Sequence, residues 1–213
     1  AQSPLRLVMA AELGRATLTS PVATYRAARI LSHFRHMREG LRSMNGDDQL
    51  LERLQYDHVA DRLGIEPSVV ERTVVEWMFR RPLKHLRRVR RSGVVELLSR
   101  LRSRGTRIGA LSDYPPHEKL MALGVAEFFS VACCTTDAPI NAFKPHPRGF
   151  IYVCQYWGVP PEEVLYVGDR PETDGVGAAA AGTRCFIVGH RDRDGGAGSW
   201  DFGDLERAFA RAS

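Results

Sequence analysis

Val164-Leu165-Tyr166-Val167-Gly168-Asp169-Arg170-Pro171-Glu172-Thr173-Asp174 reads as an apolar strand that delivers Gly-Asp at its tip. A second carboxylate follows five residues later, at the start of a helix. Gly168 lets the backbone turn closely. The stretch 175–182 is almost all small residues, which suits a helix packed tightly beneath a site. Two acids converging at a strand tip suit a hard cation such as magnesium, bound through oxygen with waters retained. A plainer reading stands beside this one: Asp174 caps the helix and Asp169 is a turn residue.

Around this stretch the chain alternates helix and short apolar run from Ser92 onward. The pattern predicts a helix over Val94–Arg104, capped by Ser92 and closed by Gly105, then a strand at Ile108–Leu111. A helix from Pro115-Pro116 to Gly124, a strand at Phe128–Cys134 and a helix at Arg148–Trp157 follow. After the strand Val164–Val167 come a helix at Thr173–Ala181 and a strand at Phe186–Val188. A loop over 190–199 and a terminal helix over 205–212 complete the reading. This alternation implies an α/β, Rossmann-like parallel sheet with helices on both faces. In such sheets ligands sit beyond the carboxyl ends of the strands.

Residues 5–90 have a different texture. Leu5, Val8, Met9, Leu13 and Ala16, then Tyr25, Ile30, Phe34, Met37 and Leu41, recur at helical spacing. Asn45-Gly46-Asp47-Asp48 reads as a turn before a helix from Gln49 to Leu63, which Gly64 stops. Pro67-Ser68 opens another helix and Pro82 interrupts the pattern. No strand signal is visible. The organisation expected is an all-helical domain over 1–90 and an α/β core over 91–213.

The 213 residues are 44% hydrophobic and 26% charged, enough apolar material to exclude wholesale disorder. No apolar run approaches the ~20 residues of a membrane span. No secretory leader is visible in this stretch, and Cys133, Cys134, Cys154 and Cys185 lack zinc-ligand spacing. Reduced thiols in a cytoplasmic protein are expected. Residues 1–91 carry 17 Lys+Arg against 10 Asp+Glu, whereas 92–213 carry 13 against 15. A basic half attracts anionic partners. The run Arg80–Arg91 reads as a solvated helix face rather than a nucleic-acid surface, because it lacks interleaved stacking aromatics.

Two other strand ends carry chemistry. Ser112-Asp113 follows a strand, where a hydroxyl can bond an anion or cap the next helix. Lys144, in Lys144-Pro145-His146-Pro147, is one of only three lysines in an arginine-rich chain. With prolines fixing its backbone, it is either a fixed charge facing a phosphoryl group or a surface loop lysine.

In this order the motifs resemble the haloacid dehalogenase superfamily, mostly phosphatases with a Rossmann-like core and, in many members, a helical cap. Ser112 matches the family's second motif, Lys144 its third, and Gly168-Asp169 with Asp174 its fourth. The resemblance implies that Ser112 binds a phosphoryl oxygen and Lys144 neutralises the nucleophile and the transferring group. Asp169 and Asp174 would serve a magnesium ion, Asp113 would add a substrate contact, and the substrate would be a small phosphorylated molecule. The reaction implied is attack by an aspartate on phosphorus, then hydrolysis of the aspartyl-phosphate.

The family's first motif, DxDxT at the end of the first strand, is not found. Asp192 and Asp194 follow the fourth motif and read as a solvated loop. Three expectations stand open: a chain that starts after that motif, a relative that has lost it and only binds, or a strand at Leu5–Ala10 without a nucleophile. A missing central strand would leave unpaired backbone on both neighbours, at ~1–3 kcal/mol per buried group. A dehalogenase is the alternative chemistry, with little use for a metal. Substrate specificity would come from the cap, where His33, Arg35, His36 and Arg38 are candidates. The oligomeric state is open.

Overall fold

The computed structural model describes residues 4–42 and 50–188. The turn expected at Asn45-Gly46-Asp47-Asp48, the Asp192/Asp194 pair, the loop over 190–199 and the terminal helix over 205–212 lie outside the described residues. In chain order the helices are α1 (Pro4–Thr19), α2 (Pro21–Leu41), α3 (Leu51–Leu63), α4 (Pro67–Val74), α5 (Leu83–Val89), α6 (Val94–Ser103), α7 (His117–Leu123), α8 (Arg148–Trp157) and α9 (Val176–Ala180). The strands are β1 (Gly109–Ser112), β2 (Val131–Cys134), β3 (Leu165–Gly168) and β4 (Arg184–Ile187). The chain divides into two units, 1–91 with 115–127, and 92–114 with 128–213.

The first unit is helical. Pro21 and Pro67 open α2 and α4, where a missing N–H costs nothing. Gly64 closes α3 in the left-handed region at φ +63°, where only glycine sits without strain. Phe34 and Leu41 of α2, Leu51 and Val59 of α3, and Val70 and Val74 of α4 are fully buried. Their seven-, eight- and four-residue spacing puts one apolar stripe of each helix into a common core. Phe34 stacks on Tyr56 at 5.7 Å. Arg38 is not available to a substrate: it is buried and donates to Gln55 Oε1 at 3.0 Å. Beyond Val74 the helix loosens into a π-helical turn, Val75–Arg80.

Leu5–Ala10 is helix rather than strand. On the same helix, Glu12 Oε1 accepts from Lys84 Nζ at 2.5 Å and from His85 Nε2 at 2.7 Å, tying α1 to α5. Its carboxyl is held below the ordinary range chiefly by the Lys84 bond. Part of the basic run is spent inside the unit. Arg81 lies 3.8 Å over the Trp77 ring and bonds Glu76 at 2.8 Å, and Arg90 donates to the Leu123 carbonyl at 2.7 Å.

The second unit is the α/β part. β1 pairs parallel with β2, Gly109 opposite Val131 and Ser112 opposite Cys134. β3 pairs parallel with β4, Leu165 opposite Arg184 and Gly168 opposite Ile187. Among the described residues these are two separate two-stranded sheets, with no strand joining β1 to β3. Side chains bridge instead. Leu111 of β1 packs against both apolar clusters, one around Cys133, Ile140 and Val153 and one around Phe150, Ala178 and Ala181. The four cysteines are unpaired thiols, and burial first of all pushes that of Cys133 up to about 11.

Some boundaries differ from the sequence reading. Ser92 does not cap α6; Gly93, at φ +83°, precedes it and no side chain caps the helix. β2 starts at Val131 because Ala126–Phe128 is taken by a 3₁₀ turn. The helix expected from Thr173 begins as a π-type turn, Pro171–Gly175, before α9.

Close packing beneath the β3 tip rests on Gly177. A Cβ there would stand 2.6 Å from Phe150 Cε2 and 2.9 Å from the Pro145 carbonyl oxygen. Gly177→Ala is expected to cost about 1–3 kcal/mol through overpacking. Urea unfolding checks this: the midpoint falls while the slope stays unchanged.

Candidate active site

β1 and β3 end at Ser112 and Gly168, and the chemistry-bearing residues follow directly. Lys144 comes from the loop between β2 and α8. That loop is anchored by fully buried Ile140 and Phe143, and His146 N–H donates to the Phe143 carbonyl at 3.0 Å. Lys144 Nζ donates to Asp174 Oδ1 at 2.6 Å and to the Tyr166 hydroxyl at 3.0 Å. The two charged side chains are only 11% and 3% exposed, so this is a buried ion pair. Tyr166 in turn donates toward Asp174 Oδ1 at 3.2 Å, and its ring meets Phe150 edge-on at 4.7 Å.

The other Asp174 oxygen is also engaged. Oδ2 accepts the backbone N–H groups of Asp169 at 3.0 Å and Arg170 at 3.1 Å. This close return of the chain demands Gly168, since a Cβ there would sit 2.5 Å from Asp174 Cβ and Oδ2. The tight turn is closed by Asp174 N–H donating to the Arg170 carbonyl at 2.7 Å. Asp169 differs. Its carboxylate is exposed and has no hydrogen-bond or ion-pair partner among the described residues.

At the β1 tip the Ser112 hydroxyl accepts the Tyr114 N–H at 3.1 Å, which leaves its own proton to donate. Asp113 is buried, and Thr135 Oγ1 donates to its Oδ1 at 3.2 Å. Thr135 N–H also bonds the Ser112 carbonyl at 2.8 Å, joining the two strand ends.

Lys144, Asp174 and Tyr166 are thus in direct contact, with the Asp169 backbone one bond away. Ser112 and Asp113 stand on the neighbouring strand tip, and Asp113 reaches Lys144 through its charge. Tyr166 and Thr135 were not singled out by the sequence. The available signal for Tyr166 was a lone hydroxyl in the run Val164–Val167.

Asp169 is the residue here that could take a divalent cation, because its open carboxylate is the kind of hard oxygen ligand magnesium takes beside retained waters. Asp174 has both oxygens committed to Lys144, Tyr166 and the turn. No cluster of three or more His, Cys, Asp or Glu side chains suited to a metal occurs among the described residues.

Burial is the largest influence on each member of the trio. It raises Tyr166 to about 12. It would lower Lys144, but Tyr166, Asp113 and Asp174 outweigh it and hold the ammonium well above its ordinary value. It would raise Asp174, but the Lys144 contact and the two backbone N–H groups leave the carboxyl below its ordinary 3.8. A depressed carboxyl adds stability that is in place above its ordinary value and is lost as pH falls through the folded value. The raised Lys144 and Tyr166 add stability that is in place below about 10 and is lost as pH rises. Unfolding free energy, measured by denaturant with a chelator present, is expected to fall below about pH 4 and above about pH 10. Asp174→Asn, which strands a buried ammonium, is expected to cost about 3–5 kcal/mol at neutral pH and to remove its share of the acid limb.

A family model described as haloacid dehalogenase-like hydrolase matches residues 3–182. Glyceraldehyde 3-phosphate phosphatase of Methanopyrus kandleri is 38% identical over 92 residues, 42% of this chain and 39% of that protein. Phosphoserine phosphatase of Thermus thermophilus is 36% identical over 118 residues, 53% of this chain and 47% of that protein. The chain therefore spans less than half the length of these curated relatives. Among solved structures, a 2-haloacid dehalogenase from Pseudomonas syringae superposes with a TM-score of 0.63 at 21% identity, over 99% of this chain and 93% of that one, a likeness of fold. With its family model running from the first helix to the end of α9, the chain belongs to the haloacid dehalogenase-like hydrolases.

Proposed function

We propose that this hydrolase is a magnesium-dependent phosphatase acting on a small phosphorylated substrate. The observation that carries the reading is a buried ammonium, held by Asp174 and Tyr166, beside an exposed Asp169 at a strand tip whose carboxylate has no partner among the described residues. A fixed cation and an open carboxylate together suit an oxyanion that arrives with a divalent ion. A dehalogenase would have little use for Asp169. The names of the curated relatives support the same choice.

In this reading Ser112 donates to a phosphoryl oxygen and Asp113 adds a substrate contact. Lys144 neutralises the nucleophile and the transferring group, and Asp174 holds Lys144 and the Asp169 turn in place. Asp169 ligates magnesium, which when bound supplies charge neutralisation at the phosphoryl oxygens. The nucleophile is an aspartate that this sequence does not supply. Its oxygen bonds to phosphorus as the ester oxygen leaves, and water then releases inorganic phosphate. Residues 1–90 act as the cap that selects the substrate, and 91–213 as the core; the division near residue 91 supports the first boundary, while 115–127 fall with the helical unit. Unpaired thiols favour a reducing, cytoplasmic setting. No helix among the described residues is long and apolar enough to cross a membrane.

The test is phosphate release from an aryl phosphate, by this chain alone and by the chain with an aspartate-bearing N-terminal extension. Turnover is expected only with the extension and magnesium, and loss on chelation. Lys144→Met and Asp169→Asn are each expected to lower kcat/KM at least a hundredfold, about 2.7 kcal/mol of transition-state stabilisation. No magnesium-dependent turnover by the extended chain rejects the reading and leaves a binding role.

A further inference from the structure

We propose that the helical unit carries a second ligand site, a groove that takes an anionic amphiphile: a carboxylate on a medium-length aliphatic chain. The groove runs between α2 and the α4 helix with its π-helical continuation and encloses about 920 Å³. That is the size of a small-ligand pocket, ~300–1,000 Å³. Ala23, Ala27 and Ile30 form one wall, and Ile65, Val69 and Trp77 the other. Hydrocarbon fits such a surface, and further apolar side chains are exposed nearby in sequence. Leu18, Val22 and Tyr25 are 87%, 64% and 69% exposed at the α1–α2 corner.

The lip has the opposite chemistry. Arg26 and Arg29 line the same groove, one turn apart on α2. Neither guanidinium has a hydrogen-bond or ion-pair partner among the described residues, although other arginines of the unit do. The Trp77 indole N–H is also unpartnered there. Arg81, stacked on the Trp77 ring, is itself paired with Glu76, so the open cations of the lip are Arg26 and Arg29. Two adjacent forks of N–H donors match a carboxylate's oxygens, and the apolar walls match a chain. One molecule that satisfies both is an amphiphilic carboxylate. The groove contains none of the residues assigned to phosphate chemistry, so the site stands or falls apart from that reading.

The experiment is calorimetric titration of the purified chain with decanoate below its micelle concentration, with tryptophan fluorescence in parallel. Decanol and acetate serve as the uncharged and chainless probes. Decanoate is expected to saturate at one per chain, with decanol and acetate each at least tenfold weaker. Arg26→Gln with Arg29→Gln should weaken decanoate at least tenfold and leave decanol unchanged. Ala23→Phe, made at an exposed position, should fill the groove and abolish binding. Trp77→Phe should remove the fluorescence response and keep the calorimetric one. Circular dichroism checks that each variant stays helical, and the wild-type comparison of three probes needs no variant at all. No saturable decanoate binding, or decanol binding as tightly as decanoate, overturns the proposal. So does sedimentation showing a dimer that decanoate leaves intact and Ala23→Phe dissociates, because the groove is then an interface between copies.

Discussion

Everything at the β3 tip depends on one buried contact, the ammonium of Lys144 against the carboxylate of Asp174. Neither charge would be tolerated alone at this depth, because an unpaired buried ion costs several kcal/mol. The remaining geometry is what makes the pair tolerable. Tyr166 accepts a second hydrogen bond from the ammonium, and two backbone N–H groups satisfy the far carboxylate oxygen. Those N–H groups belong to Asp169 and Arg170, so the contact that neutralises Lys144 also sets the turn that presents Asp169. Gly168 and Gly177 are consequences of the same constraint: each lies where a single extra carbon would push an essential group away.

The sheet is built around a gap. Two parallel pairs, β1–β2 and β3–β4, share Leu111 and the Phe150 cluster beneath, and among the described residues no hydrogen-bonded strand links them. The Tyr166 hydroxyl comes within 3.5 Å of the Leu111 carbonyl, a marginal bond at best. A carbonyl on the open edge of β1 is thus met by a side chain rather than by a neighbouring strand. The strand tips that carry Ser112 and Gly168 belong to the two strands that, among the described residues, share no neighbouring strand.

Much of this was legible in the residues. Gly168-Asp169 and Asp174 announced a turn because an apolar strand cannot end in Gly-Asp without leaving the sheet. Gly64, Gly124 and Gly158 ended helices where their spacing predicted, each in the left-handed region. Other features were hidden for physical reasons. Tyr166 occupies an apolar strand position, and alternation does not distinguish a ring that packs on Phe150 from one whose hydroxyl meets an ion pair. Arg38 looked like a substrate residue because a charge on a helix is normally solvated; here Gln55 and the Phe34 ring take it into the core. Ser92 has the chemistry of a cap, but Gly93 takes the left-handed turn and starts α6 without one. The helix after Pro171 begins as a wider turn, because the backbone bends to bring Asp174 back over Gly168.

The scarcity of lysine takes on meaning at this contact. The chain meets most needs for positive charge with arginine, whose planar fork stacks on Trp77, bonds Glu39 with two nitrogens of Arg42, and donates to carbonyls at Leu123 and Trp157. None of those tasks requires a compact charge. At position 144 the cation is shared between a carboxylate oxygen at 2.6 Å and a phenol oxygen at 3.0 Å, and those two oxygens are themselves 3.2 Å apart. A tetrahedral ammonium with three rotatable donors serves two such close acceptors. A guanidinium spreads its donors over a rigid plane too wide for that corner. The residue type at this position therefore follows from the packing around it: a compact charge is what two oxygens this close together accept.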